Sequence, residues 1–279
     1  MPFDGLAALY FGMRREWLFA LLAGLIFALG VAVPLVPVPV EFLRIGSIIS
    51  SVLFVSLPIA LIFVACGFRW SPLSAGISLL CSLVFFGVCY WLLRERIGEI
   101  ALVGALNQLA VLGWASSLGI LIATSLRDKN LIFPISLVLV TVDLIAVFAP
   151  SGTVKQALSS EKGKAIFDAV SFKIPQFGHA APFAQIGPAD FLFIAMFFAL
   201  MYRFGMRTRE TALAMIPTLV VYLLVALMVG PLPALVPVGL VVLIVNRKEF
   251  SMSRAEKGMT LGVGIVCVSV LIYMFRGLF

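Results

Sequence analysis

The chain has 279 residues, 62% of them hydrophobic and only 12% charged, with a formal net charge of +7 and a mean hydropathy of +1.16. Soluble domains carry about 25% charged residues, so this composition excludes an ordinary soluble enzyme and points to a multi-pass protein embedded in a lipid bilayer. The basic residues are scattered over many short loops with no basic stripe interleaved with aromatics, which argues against nucleic-acid binding.

The apolar runs are continuous and span-length rather than short and alternating. Barrel strands need only about 10 residues and helical spans about 20. Only helices and closed barrels satisfy every backbone polar group in lipid. The expected fold is therefore all-α, a polytopic transmembrane helical bundle of about nine spans: 17–39, 46–68, 72–93, 100–126, 131–150, 180–204, 210–229, 231–246 and 258–276. Arg14 and Arg15 precede the first run, which is as long as a full span and ends in no small-x-small cleavage site. It reads as a span rather than a removable signal peptide. Trp17, Trp70, Tyr90, Trp91, Tyr202 and Tyr273 fall near span ends, where membrane-interface aromatics collect. Pro34, Pro37 and Pro39 mark the end of the first span.

In the fourth span, Asn107, Gln108 and Trp114 read as interhelical hydrogen-bond partners, with a polar pathway as the alternative. The 151–179 connection is the one long loop, charged at Lys162, Lys164 and Lys173; it is a solvated loop, or a lid or strand that pairs with substrate. The eighth span is short and interrupted by proline. Gly258-x-x-x-Gly262 in the last span fits a helix-packing motif. Cys66, Cys81, Cys89 and Cys267 form no Cys-x-x-Cys pair, and His179 is the sole histidine. No metal site, His-based triad or cofactor is implied.

Of the 13 acidic residues, two fall deep inside predicted spans: Asp143 and Asp190. A carboxylate in a bilayer costs about 2.5–3.5 kcal/mol even on insertion scales, and persists when it is paired, hydrated or used. Asp143 lies in Leu-Val-Thr-Val-Asp-Leu-Ile-Ala-Val-Phe-Ala-Pro (139–150), about 10 Å from Pro150 at 1.5 Å per residue. Asp190 lies in Ile-Gly-Pro-Ala-Asp-Phe (186–191), roughly 15 Å into a span that starts from the same face. Because the chain reverses between these spans, the two carboxyls are expected to face each other. Gly187 and Ala189 are small enough for close helix approach, and Pro188 loosens the first turn where water must enter. The run Gly-Pro-Leu-Pro-Ala-Leu-Val-Pro (230–237) lacks backbone donors at each proline. Irregular backbone at membrane depth belongs beside a wet cavity or inside protein, and this stretch is suited to holding a substrate backbone extended.

Asp143 followed by Leu-Ile-Ala-Val, then Gly187-Pro188-Ala189-Asp190, then Pro233-Ala234-Leu235, resemble the Tyr-Asp, Gly-x-Gly-Asp and Pro-Ala-Leu signatures of the presenilin and signal peptide peptidase family. The similarity covers about 131–246, and the ordered triple, with gaps of 47 residues (143 to 190) and 43 (190 to 233), is more specific than any one motif. Val142 stands where the family has tyrosine, Ala189 stands where it has glycine, and four predicted spans precede the first aspartate where the family has five. The smaller size resembles microbial homologues.

The resemblance implies a presenilin-like C-terminal half and intramembrane proteolysis of transmembrane-helix or signal-peptide substrates. It implies a catalytic pair, Asp143 and Asp190, that shares one proton and activates water. Gly187, Pro188, Ala189, Pro233, Ala234 and Leu235 would position substrate. The chain then divides into an N-terminal transmembrane scaffold, 1–130, and a catalytic transmembrane part, 131–279, that includes the 151–179 connecting loop.

With nine spans, the face holding the N-terminus collects 12 basic residues and the opposite face 8. The positive-inside rule then expects a cytoplasmic N-terminus in a prokaryotic cell membrane, with the long loop outside. Membrane aspartate pairs also serve ion-coupled transporters. A transporter is therefore one alternative, and a catalytically inactive homologue is another.

Overall fold

The computed structural model describes residues 3–95, 100–149, 152, 160–179, 185–230 and 232–275. Among these the α-helices are α1 (Phe3–Leu35), α2 (Val40–Cys66), α3 (Pro72–Arg94), α4 (Ile100–Ser125), α5 (Ile132–Phe148), α6 (Glu161–Val170), α7 (Pro188–Arg203), α8 (Thr208–Val229), α9 (Leu235–Val245) and α10 (Arg254–Phe275). Single 3₁₀ turns occur at Lys129–Leu131 and Phe177–His179, and strands β1 (Phe172–Lys173) and β2 (Gln185–Ile186) pair antiparallel.

Among the described residues, seven stretches are long and apolar enough to cross a membrane: Arg14–Leu35, Glu41–Cys66, Pro72–Arg94, Ala101–Ser125, Lys129–Phe148, Thr208–Val229 and Arg254–Met274. The other two expected spans, 180–204 and 231–246, contain shorter helices of 16 and 11 residues. Local chemistry explains both. Pro188 occupies the first position of α7, where a missing N–H costs nothing, and Gln185–Ile186 just before it is extended and paired as β2. Gly230 ends α8 at φ 109°, a conformation that side chains resist, and α9 begins only after Pro233.

Packing divides the chain into two compact units, Met1–Ser125 with Ser171–Tyr202, and Leu126–Val170 with Arg203–Phe279. The helix bearing Asp190 falls in the first unit with α1 to α4.

In the first unit, small residues bring helices together, as they do where lipid supplies no hydrophobic drive. A Cβ on Gly30 would lie 3.2 Å from Ala105 Cβ, and one on Gly113 3.3 Å from Ser82 Cβ. One on Gly119 would collide with the Leu192 carbonyl oxygen, so α4 meets the backbone of α7 directly. Ser78 and Ser117 hydroxyls are hydrogen-bonded at 2.8 Å between α3 and α4. Phe172 of β1 is fully buried between Phe54 and Phe191, with ring centroids 6.3 and 5.4 Å away. The Arg15 guanidinium donates to the Gly67 carbonyl and lies 5.5 Å from the Tyr202 ring centroid.

In the second unit α9 packs against α5, where a Cβ on Gly239 would lie 3.2 Å from Val140 Cγ2. Asn246, fully buried at the end of α9, ties this helix to the start of α8. Its Nδ2 donates to Thr211 Oγ1 (2.9 Å) and to the Val242 carbonyl (3.0 Å), and its Oδ1 accepts the Arg207 N–H (3.0 Å). Asn246→Ala would strand a backbone donor in a buried place and should lower stability by about 1–3 kcal/mol. Thermal unfolding in mild detergent measures it, and a loss below about 0.5 kcal/mol would show that Asn246 is no more than a surface-grade contact. The Asn130 amide donates to the Ser251 carbonyl and to Glu256, both at 3.2 Å, joining the start of α5 to the segment that opens α10. A Cβ added at Gly258 or Gly262 would have nothing within 4 Å, so the expected packing motif touches no neighbour among the described residues.

Candidate active site

Asp143 is half-buried on α5, and its Oδ2 accepts the backbone N–H of Leu235 at 2.7 Å. Leu235 is the first residue of α9. The first N–H groups of a helix have no partner inside the helix, and its N-terminal end carries a partial positive charge. A carboxylate placed there gains a charge-assisted hydrogen bond. The next two positions of that turn are also accounted for: the Val236 N–H reaches the Pro233 carbonyl at 3.4 Å, and Pro237 has no N–H to satisfy. The prolines thus thin the donors of this segment, and the first of the helix goes to Asp143.

Pro233 and Leu235 are buried and Ala234 is half-buried. The Pro233 carbonyl also accepts the Tyr222 hydroxyl at 3.0 Å. Sequence reasoning passed over Tyr222. The available signal was its position inside an apolar span, away from the end where interface aromatics belong. Val142, at the place of the family's tyrosine, is exposed.

Asp190 is half-buried and is the third residue of α7, with its N–H donated to the Gly187 carbonyl at 3.2 Å. The expected depth of ten residues into a span is thereby corrected: Asp190 stands in the first turn of its helix, and residues 180–184 lie outside the described residues. A Cβ on Gly187 would make an ordinary 3.5 Å contact with Asp190 Oδ2, Pro188 is half-buried, and Ala189 is exposed. The strand β2 ends one residue before Gly187, so the order here is strand, glycine, proline, alanine, aspartate. Its partner β1 is anchored to α4, because the Lys173 N–H donates to Gln108 Oε1 at 2.9 Å. Gln108 therefore holds the strand pair. Asn107 Oδ1 and Trp114 Nε1 are buried without a hydrogen-bond partner among the described residues.

The structure therefore assembles two groups. Asp143 joins Pro233, Leu235 and Tyr222 in the second unit, and Asp190 follows the strand pair in the first. Among the described residues the fold is predominantly α-helical, with seven helices long and apolar enough to cross a membrane. No family model, curated protein or solved structure matches it.

Proposed function

We propose that this protein is an intramembrane aspartyl protease of the presenilin and signal peptide peptidase type. What supports the reading is the hydrogen bond from the Leu235 N–H to Asp143 Oδ2: two motifs 92 residues apart in sequence meet at 2.7 Å. Asp143 and Asp190 supply the two carboxyls. One, ionised, takes a proton from water as the oxygen attacks the scissile carbonyl carbon. The other, protonated, gives its proton to the carbonyl oxygen. Collapse of the tetrahedral intermediate breaks the C–N bond: the proton held by the first carboxyl passes to the leaving nitrogen, and a hydroxyl of the intermediate returns its proton to the second carboxyl. The pair titrates as a unit, so neither role belongs to one residue alone.

The substrate is a transmembrane helix or remnant signal peptide that unwinds before cleavage. Pro233-Ala234-Leu235 and Gly187-Pro188-Ala189 hold it, and the edges of the β1–β2 pair offer main-chain hydrogen bonds to an added strand. In this reading α7 and α9 serve as the sixth and eighth of nine spans. They are shorter than the roughly 20 residues that lipid demands, a shortfall that membrane proteins tolerate where irregular backbone is buried in protein or lines a wet cavity. The N-terminus lies in the cytoplasm of a prokaryotic cell.

Purified protein in liposomes should cut a generic single-span substrate. Failure to cut, together with ion flux that depends on Asp143, would replace this reading with a transporter. Proteolysis by a dyad also requires the two carboxyls to meet. Cysteines replacing Asp143 and Asp190 should be joined by a short bifunctional reagent, and resistance to every short reagent would remove the dyad.

A further inference from the structure

Two side chains grip the Pro-Ala-Leu segment from different helices. Asp143 of α5 takes the Leu235 N–H at 2.7 Å, and Tyr222 of α8 gives its hydroxyl proton to the Pro233 carbonyl at 3.0 Å. The two bonds act on a run of three residues, one on its donor and one on its acceptor. A backbone turn held at a single point can pivot about it. Held at both ends, it cannot turn its carbonyls away without breaking a bond.

The geometry points to Tyr222 as a positioning residue that fixes the Pro233–Leu235 turn against Asp143. This rests on the protease reading, since the segment held is the one assigned to substrate. Pro233 is buried and cannot donate from its own nitrogen, so the turn has few other restraints. The Pro233 carbonyl also receives the Val236 N–H, but at 3.4 Å, near the limit of a useful bond. Tyr222 is the shorter of its two contacts.

A Tyr222→Phe variant keeps the ring and removes only the hydroxyl. Its effect belongs on kcat rather than KM, because a loosened turn binds substrate yet presents the scissile bond poorly. One neutral hydrogen bond corresponds to a roughly threefold to tenfold fall in kcat, with KM nearly constant. A second readout needs no activity. Pro-Ala occurs at 188–189 and 233–234 only. Labelling proline carbonyl carbons with ¹³C and alanine nitrogens with ¹⁵N therefore selects two carbonyl signals by NMR in lipid.

On Tyr222→Phe the Pro233 signal should move upfield as its donor is lost, while the Pro188 signal stays in place. An unmoved Pro233 signal overturns the proposal. A moved signal with unchanged kcat overturns the positioning role. Equal losses in kcat and substrate affinity would do the same, since they describe general loosening. If the wild type cuts nothing, the protease reading fails by that result, and the carbonyl signals still decide whether Tyr222 holds the turn.

Discussion

Asp143→Asn and Asp190→Asn should each reduce cleavage of a single-span substrate by about a hundredfold to ten-thousandfold, the range that acid–base groups contribute. Asparagine is the informative replacement at 143. Alanine there would also uncap α9, at a cost of about 1 kcal/mol, and lost activity could then be blamed on a loosened fold. Asparagine keeps an oxygen able to accept the Leu235 N–H, which Asp143 now receives at 2.7 Å, yet it cannot hold or release the catalytic proton. Thermal stability should therefore stay near wild type while turnover disappears. In the proposed dyad the two residues would act as one device, so the double variant should be no worse than either single one. Wild-type rates in either single variant would end the dyad assignment, and an intact rate in Asp143→Asn would leave Asp143 as a structural cap.

Gly119→Ala should damage activity from outside the catalytic groups. The added methyl would run into the Leu192 carbonyl oxygen and lie 3.0 Å from both Leu192 C and Met196 N. These are backbone atoms of α7, which cannot swing aside as a side-chain tip can. Overpacking of this kind costs about 1–3 kcal/mol, and relief requires α7 to move. Asp190 rides on the first turn of that helix, and a misplacement of about 1 Å can cost roughly a hundredfold in rate. Gly87→Ala is the control. A Cβ at Gly87 meets nothing within 4 Å, and alanine within a helix gains up to about 1 kcal/mol over glycine. Matched unfolding curves and cleavage rates for the two variants would test this contrast, and a Gly119→Ala protein as stable and active as wild type would contradict it.

Much of the architecture is legible in the residues because hydropathy is additive along a run. Seven of the nine predicted spans contain helices long enough to cross a membrane, and the proline run at 231–237 announced a short, late-starting helix. The start of α7 was hidden. Averaged over 180–204 the chain is apolar, and an average does not distinguish two extended residues and a proline from the first turns of a helix. The grouping of Asp190 with the N-terminal helices was hidden for a different reason. It depends on long-range contacts, such as one glycine fitting against one carbonyl 73 residues later, and such contacts leave no period in the sequence. Tyr222 was masked by type, because an aromatic in a membrane protein reads first as an interface anchor. The bond between Asp143 and the Pro-Ala-Leu segment pairs two elements singled out by motif, although the motif says nothing of which backbone atom is used.

The chain passes between its two compact units three times, after residues 125, 170 and 202. This interleaving has a consequence for biosynthesis. When the ribosome has released the first four helices, the surface around Gly119 still awaits α7, which lies more than 60 residues downstream. The insertion machinery must keep an unfinished assembly in the bilayer while α5 enters, and the earlier helices are completed only afterwards. Cutting the gene near codon 130 would accordingly yield a first polypeptide that lacks residues 171–202 of its unit and a second that carries them along with nearly all of both segments of its own. Complementation between co-expressed halves would depend on the second fragment's α7 finding the first fragment's α4 in the membrane.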